Sequence, residues 1–125
     1  MFFSKKKVFI VAEAGNNHEG NFKVATKLIE KAAEAGVDAI KFQTFKTNLF
    51  INKLEKKRYK QLNKFELTIN QFKSLKKIAS KNGIIFFSTP LDLKSAVELN
   101  KFQNIFKIAS GDNNFLDLLS LVASF

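Results

Sequence analysis

Apolar and polar positions along this chain come in blocks whose period changes. Val8–Ala12 (VFIVA) is a continuous apolar, β-branched run, as a strand buried on both faces requires. A polar loop follows from Gly15 to Gly20. From Phe22 to Ala35 the apolar residues Phe22, Ala25, Leu28, Ile29, Ala32 and Ala33 return at helical spacing, and Gly36 stands where such a helix stops. Asp38–Thr44 (DAIKFQT) reads as a second strand. Residues 45–67 are polar, basic and weakly patterned, which predicts a long loop with a single helical turn. Thr68 with Gln71 three residues on predicts a capping box, opening a helix that carries Phe72, Leu75, Ile78 and Ala79 on one face. Asn82-Gly83 ends it. Ile84–Thr89 (IIFFST) predicts a third strand, and Pro90 with Asp92 starts a helix through Asn100. Ile105–Ala109 (IFKIA) predicts a fourth strand, and Asn113 or Asn114 caps a last helix, Phe115–Ala123.

Four strand–helix units in succession imply parallel strands joined by right-handed crossovers. A TIM (β/α)8 barrel takes about 250 residues, and this chain has 125. The expectation is therefore an α/β fold made of the N-terminal four βα units of such a barrel, truncated, with a small open sheet as the alternative. Nothing marks an interdomain linker: the sole proline is Pro90 and the five glycines sit at element ends.

Composition narrows the class without changing the fold. Apolar residues at 46% and charged residues at 26% fit an ordinary globular domain and exclude wholesale disorder. The absence of cysteine excludes a disulfide scaffold and a zinc–thiolate site and suits a reducing cytoplasm. No run approaches the ~18 apolar residues of a membrane span, and the opening MFFSKKKVFIVAEAG makes a poor secretory signal. The expectation is a soluble, cytoplasmic chain with no membrane partner. The net charge of +10 first suggests nucleic acid, but every basic residue except Arg58 is lysine, whereas base and bidentate phosphate recognition favour arginine. The excess is also local. Residues 53–81 hold ten basic side chains against Glu55 and Glu66, which reads as a solvated loop and helix face and not as a polyanion site.

The candidate chemistry lies where polar residues interrupt the apolar strands. Glu13 follows the first run; Lys41, Gln43 and Thr44 end the second; Ser88 and Thr89 end the third; Lys107 and Ser110 mark the fourth. Ligands bind at that carboxyl edge in barrels and open α/β sheets alike. Lys41 and Gln43 share a strand face, and neighbouring parallel strands are expected to bring Lys107 and Lys41 to one mouth. Lysines inside AIKFQ and IFKIA are costly unless an anion compensates them. With the Ser-Thr pair and the Ser110-Gly111 turn they describe a phosphate or carboxylate site. A carboxylate directly after VFIVA must be hydrogen-bonded, salt-bridged or catalytic, and Glu13 stays open between those roles. His18, the single histidine, reads as a loop residue hydrogen-bonding near Asn16 and Asn17, since a metal site wants several ligands. Walker, GxGxxG and nucleophile-elbow motifs are absent.

Three segments in order, VAEAGNNHEGNFKVATKLIEKAAEAGVDAIKFQTF, IIFFSTPLDLKSA and FKIASGDNNFLDLL around those strand ends, resemble the amino-terminal half of the sialic acid synthase family, which includes N-acetylneuraminate, legionaminic, pseudaminic and spore-coat relatives. The likeness spans nearly the whole chain apart from about residues 46–67. It implies that residues 1–125 are the N-terminal half of a synthase barrel domain, without the remaining strands or the small antifreeze-like domain that often follows. It implies condensation of phosphoenolpyruvate with an N-acyl-mannosamine-type sugar, phosphate being released and a divalent metal (Mn or Mg) assisting, with the metal ligands outside this chain. Carried over by motif, Lys41 and Lys107 bind the anionic groups of phosphoenolpyruvate, Gln43, Thr89 and Ser110 assist, and Glu13 stands near the reacting carbons. Where the family commonly reads SGE this chain has Asp112, one methylene shorter, which touches the presumed acceptor-sugar contact. The resemblance further implies a homodimer for the full-length protein and an inactive isolated fragment. Two other readings compete: an aldolase barrel using Lys107 as a Schiff-base amine, and a non-catalytic anion-binding module.

Overall fold

The computed structural model describes residues 8–125. Its elements run β1 (Val11–Gly15), α1 (Phe22–Glu34), β2 (Ala39–Thr44), α2 (Thr47–Phe50), α3 (Lys56–Phe65), α4 (Ile69–Lys81), β3 (Ile85–Pro90), α5 (Leu93–Asn100), a turn of 3-10 helix at Ser110–Asp112, and α6 (Leu116–Ala123). Three strands form one parallel sheet in the order β1-β2-β3. Successive parallel strands lying side by side, with helices between them, are what alternating strand and helix periods demand.

Local chemistry sets the helix ends. Asn21 Oδ1 accepts from the amides of Lys23 and Val24 at 3.0 and 3.2 Å and starts α1. Thr68 and Gln71 make the reciprocal capping box of α4, Gln71 N donating to Thr68 Oγ1 at 3.2 Å and Thr68 N to Gln71 Oε1 at 2.8 Å. Asp92 Oδ1 accepts from Ser95 N at 2.8 Å and caps α5. The core lies between the sheet and helices α1 and α4. Phe42 is fully buried there beside Phe86 at 5.6 Å and Phe72 at 6.5 Å, with Ile29, Ile40, Leu75 and Ala25 around them.

Four expectations are corrected. The first strand lies at Val11–Gly15 and not Val8–Ala12: the register pairs Val11 with Ala39 and Glu13 with Lys41, so Glu13 is inside the ladder. Residues 45–67 are not one long loop. They hold α2 and α3, the latter turning Tyr59, Leu62 and Phe65 inward at i, i+3 and i+6, with Leu62 buried against Phe45 and Leu91. The last helix starts at Leu116, and neither Asn113 nor Asn114 caps it. Most consequential, Ile105–Ala109 is not a strand: it pairs with nothing in the sheet, so among the described residues the expected four βα units are three plus an unladdered segment. No helix among the described residues is long and apolar enough to cross a membrane.

Candidate functional site

The ladder register decides which polar residues meet. Residues paired across parallel strands point to the same side, and the pairs Glu13–Lys41–Phe87 and Gln43–Thr89 therefore share one face. The other face carries Ile40, Phe42 and Phe86 into the helical core. On the first face Lys41 Nζ lies 2.6 Å from Glu13 Oε2 and donates to Thr89 Oγ1 at 3.2 Å. Lys41 and Thr89 are buried, whereas the Glu13 side chain is 57% exposed. A buried ammonium is thus anchored from two sides while its carboxylate partner remains open to water. The compensating anion expected for Lys41 is, in this structure, the chain's own Glu13.

Gly15 completes this corner. The ladder shifts register between Glu13 and Gly15, and Gly15 takes φ +55. A Cβ there would sit 3.2 Å from Glu13 Oε1 and 4.0 Å from Gln43 Cδ. Glycine lets the backbone turn over Glu13 and Gln43 without crowding either.

Two buried or half-buried carboxylates fix the exit of β2 above the site. Asp92 Oδ2 accepts from Lys46 N at 2.8 Å and Ser95 Oγ at 2.7 Å. Glu66 Oε2 accepts from Thr47 N and Oγ1, each at 2.9 Å, and Lys46 Nζ lies 3.4 Å from Oε1. Burial pushes the Glu66 carboxyl up, but the two Thr47 donors and the Lys46 charge outweigh it and hold the group below the ordinary carboxylate range. Glu66 had no marker in the sequence beyond its position in a basic stretch.

The other expected residues stand apart. Ser88 turns to the opposite face, where its hydroxyl meets Thr44 Oγ1 at 2.7 Å, so the Ser-Thr pair does not act as one unit. Lys107 is exposed and its ammonium donates to the adjacent Ile108 carbonyl; no contact joins it to Lys41. Ser110 is exposed in the 3-10 turn. Asp112 is half-buried with Oδ2 lacking a partner, and burial raises its carboxyl above the ordinary range. His18 is 2% exposed, lies tilted against the Phe42 ring at 5.9 Å and accepts from Gly20 N at Nδ1, 3.0 Å. As expected of a loop histidine near Asn16 and Asn17, it is hydrogen-bonded within that loop, its ring to Gly20 N and its carbonyl to Asn21 N. Burial lowers its pKa, and the neutral ring carries its proton on Nε2, which has no partner.

Among the described residues no three His, Cys, Asp or Glu side chains stand close enough to hold a metal ion. Glu13 is engaged with Lys41, and His18 uses Nδ1 locally and carries a proton on the other nitrogen. This donor set does not fit a divalent cation.

The geometry resembles that of known proteins over most of the chain. A protein of Methanocaldococcus jannaschii is 47% identical over 116 residues, covering 92% of this chain and 34% of that protein. The N,N'-diacetyllegionaminic acid synthase of Campylobacter jejuni is 42% identical over 132 residues, covering 94% of this chain and 40% of that one. The crystal structure of the N-acetylneuraminic acid synthetase of Leptospira borgpetersenii, in complex with citrate, superimposes with a TM-score of 0.91 at 35% identity, covering 95% of this chain and 42% of that chain. The chain thus spans about a third to two fifths of the length of the proteins it matches. The model of the NeuB family matches residues 28–125, and with the parallel sheet and the relatives' identity this establishes that the chain belongs to the NeuB family.

Proposed function

We propose that this chain supplies the phosphoenolpyruvate-binding corner of a sialic acid synthase-type active site, within a longer (β/α)8 barrel that condenses phosphoenolpyruvate with an N-acyl-mannosamine-like sugar and releases phosphate. One observation carries the reading. A buried ammonium on the third residue of β2, Lys41, is held by Glu13 and by Thr89, which lies near the carboxyl end of β3, on the face free of the α1–α4 core. Parallel α/β sheets bind ligands at that end. The naming of the Campylobacter and Leptospira proteins as acid-sugar synthases supports the substrate class.

In this reading Lys41 leaves part of its pairing with Glu13 and takes the carboxylate or phosphate of phosphoenolpyruvate, Thr89 donates its hydroxyl, and Gln43 borders the same ligand. The enol carbon attacks the aldehyde carbon of the open-chain sugar, forming the new C–C bond as the carbonyl oxygen takes a proton. Water then adds at the cationic C2, losing its proton, and phosphate departs from the tetrahedral centre. Glu13, freed from Lys41 and half in water, stands where it can hold that proton. The contribution of these residues is positioning and fixed charge complementary to the transition state. Lys107, Ser110 and Asp112 join this corner only if residues 105–112 move toward it.

The test is titration of the chain with phosphoenolpyruvate, followed by the amide resonances of Lys41, Gln43 and Thr89. Saturable shifts at these residues are expected, with an affinity falling at least tenfold in Lys41→Met. Unchanged affinity in that variant overturns the assignment. Borohydride trapping of a carbonyl substrate on Lys107 would favour the Schiff-base aldolase instead.

A further inference from the structure

The lysines of α4, expected as a solvated helix face, border a groove. Helix α4 turns Phe72, Leu75 and Ala79 into the core. On its flank Lys73, Lys77 and Lys81 follow one another at i, i+4 and i+8, with Lys76 and Ser80 in the adjoining row. Together with Phe102, beyond the end of α5, these residues line a groove of about 540 Å³. Lys76 Nζ donates to the Phe102 carbonyl and ties the two sides of the groove together. Phe102 is half-buried and packs against the main core, which makes it a fixed apolar wall.

Charge is unbalanced along this flank. Between Glu66 and Asp92 the chain holds no acidic residue. Among the described residues none of the four ammonium groups meets a carboxylate. Like charges four residues apart repel along a helix. Lys81, in the last turn of α4, is favoured by the helix dipole, whereas Lys73 and Lys77 stand too far from that end to gain from it. An anion in the groove offsets the repulsion for all four.

Size selects the kind of anion. The row from Lys73 to Lys81 rises about 12 Å, and the volume falls within the ~300–1,000 Å³ of small-molecule sites. That is the reach of one polyphosphate chain with its nucleoside, and falls short of the track that a nucleic-acid polymer or an acidic protein needs. Lysine binds phosphate as a point charge, and an aromatic ring beside the phosphates offers a base its stacking face. We propose that this groove is a second ligand site, for a nucleoside polyphosphate: Lys73, Lys77 and Lys81 hold the phosphates, and Phe102 the base. The groove belongs to the helical layer, while the Glu13–Lys41–Thr89 corner lies on the opposite face of the sheet, so the two sites are independent.

NMR titration of the chain without divalent metal tests it, with ATP, adenosine and tripolyphosphate as probes. ATP is expected to saturate with amide shifts confined to residues 73–81 and 101–103, and to bind at least tenfold more tightly than either of its parts. Lys73→Gln combined with Lys77→Gln, both at exposed positions, lowers ATP affinity at least tenfold. Phe102→Leu brings ATP down to the level of tripolyphosphate and leaves tripolyphosphate itself unchanged, which a damaged fold does not do. Equal binding of ATP and tripolyphosphate, or ATP affinity unaltered in the double lysine variant, overturns the proposal. So does a single-stranded oligonucleotide that binds more tightly than ATP with shifts spread over α3 and α4, which makes the flank a polymer surface. The phosphoenolpyruvate titration is read at Lys41, Gln43 and Thr89, so either assignment fails without the other.

Discussion

The Glu13–Lys41–Thr89 corner and the stretch from Ile105 to Asp112 start from similar sequence, a lysine set in an apolar strand-like run with hydroxyl and carboxylate residues close by, and end differently. Lys41 sits in a central strand paired on both sides, its ammonium fixed by two partners on two other strands. Lys107 lies in a segment that, among the described residues, has no strand partner; it is exposed, and its ammonium donates to its neighbour's carbonyl. The difference shows that a charged residue in an apolar run becomes part of a site only when a ladder holds its backbone. β2 has β1 and β3 to pair with, whereas the outer edge of β3 is occupied by Gln103, whose side-chain amide bonds both Ser88 N and Ser88 O.

The largest test of this contrast is in packing. Phe42→Ala removes a fully buried ring that touches His18, Phe72 and Phe86, and is expected to destabilise by about 3–5 kcal/mol in urea unfolding. Phe106→Ala, in the unladdered segment, loses chiefly the contact with Phe125 at 5.3 Å and should cost below about 1 kcal/mol. Equal losses would mean that residues 105–109 are as integrated as β2.

Next comes the ion pair. Glu13→Gln removes the counter-charge of the buried Lys41 ammonium while keeping an amide oxygen as acceptor, and about 1–2 kcal/mol is expected, below the figure for a fully buried pair because Glu13 is half in water. Lys107→Met should leave the unfolding midpoint within about 0.5 kcal/mol of wild type. A larger loss at Lys107 reverses the ranking of the two lysines.

Backbone strain separates the regions on a finer scale. Gly15→Ala must adopt φ +55 with its Cβ 3.2 Å from Glu13 Oε1, and about 1–2 kcal/mol of destabilisation is expected from thermal or urea melts. Gly111→Ala meets open space and lacks a left-handed φ, so it should be neutral or stabilising by about 0.4–1 kcal/mol. The opposite order would place the strained turn at the wrong end of the molecule.

The smallest effects are titrations of opposite sign. His18 has its folded-state pKa depressed below 6.5 by burial, so the stability from its neutral form is present above pH 6.5 and is lost as pH falls through the lowered value. His18→Phe should flatten stability in that window. Asp112 has its folded-state pKa raised above 3.8 by burial, so the folded state is favoured below 3.8 and that advantage is lost as pH rises through the raised value. Asp112→Asn should therefore stabilise the chain at neutral pH and remove the dependence just above pH 3.8. If Asp112→Asn destabilises at pH 7 instead, the carboxylate has a partner the structure does not provide.

Sequence alone determined the elements whose signals are local. The helix over 22–34 follows from the spacing of Ala25, Ile29 and Ala32, the capping box from Thr68 and Gln71, the start of α5 from Asp92, and the parallel order from the alternation of strands and helices. Membership of the synthase family was likewise legible from motifs standing in order. What only the tertiary structure decided is pairing. Whether Glu13 lies in or after its strand, which face Ser88 takes, where Lys41 finds its counter-charge and whether IFKIA joins the sheet all depend on register and edge occupancy. Those are choices between partners far apart in the chain. A β-pattern states that a segment can pair, but the free energy of pairing belongs to the partner's edge, and here a glutamine side chain already holds that edge.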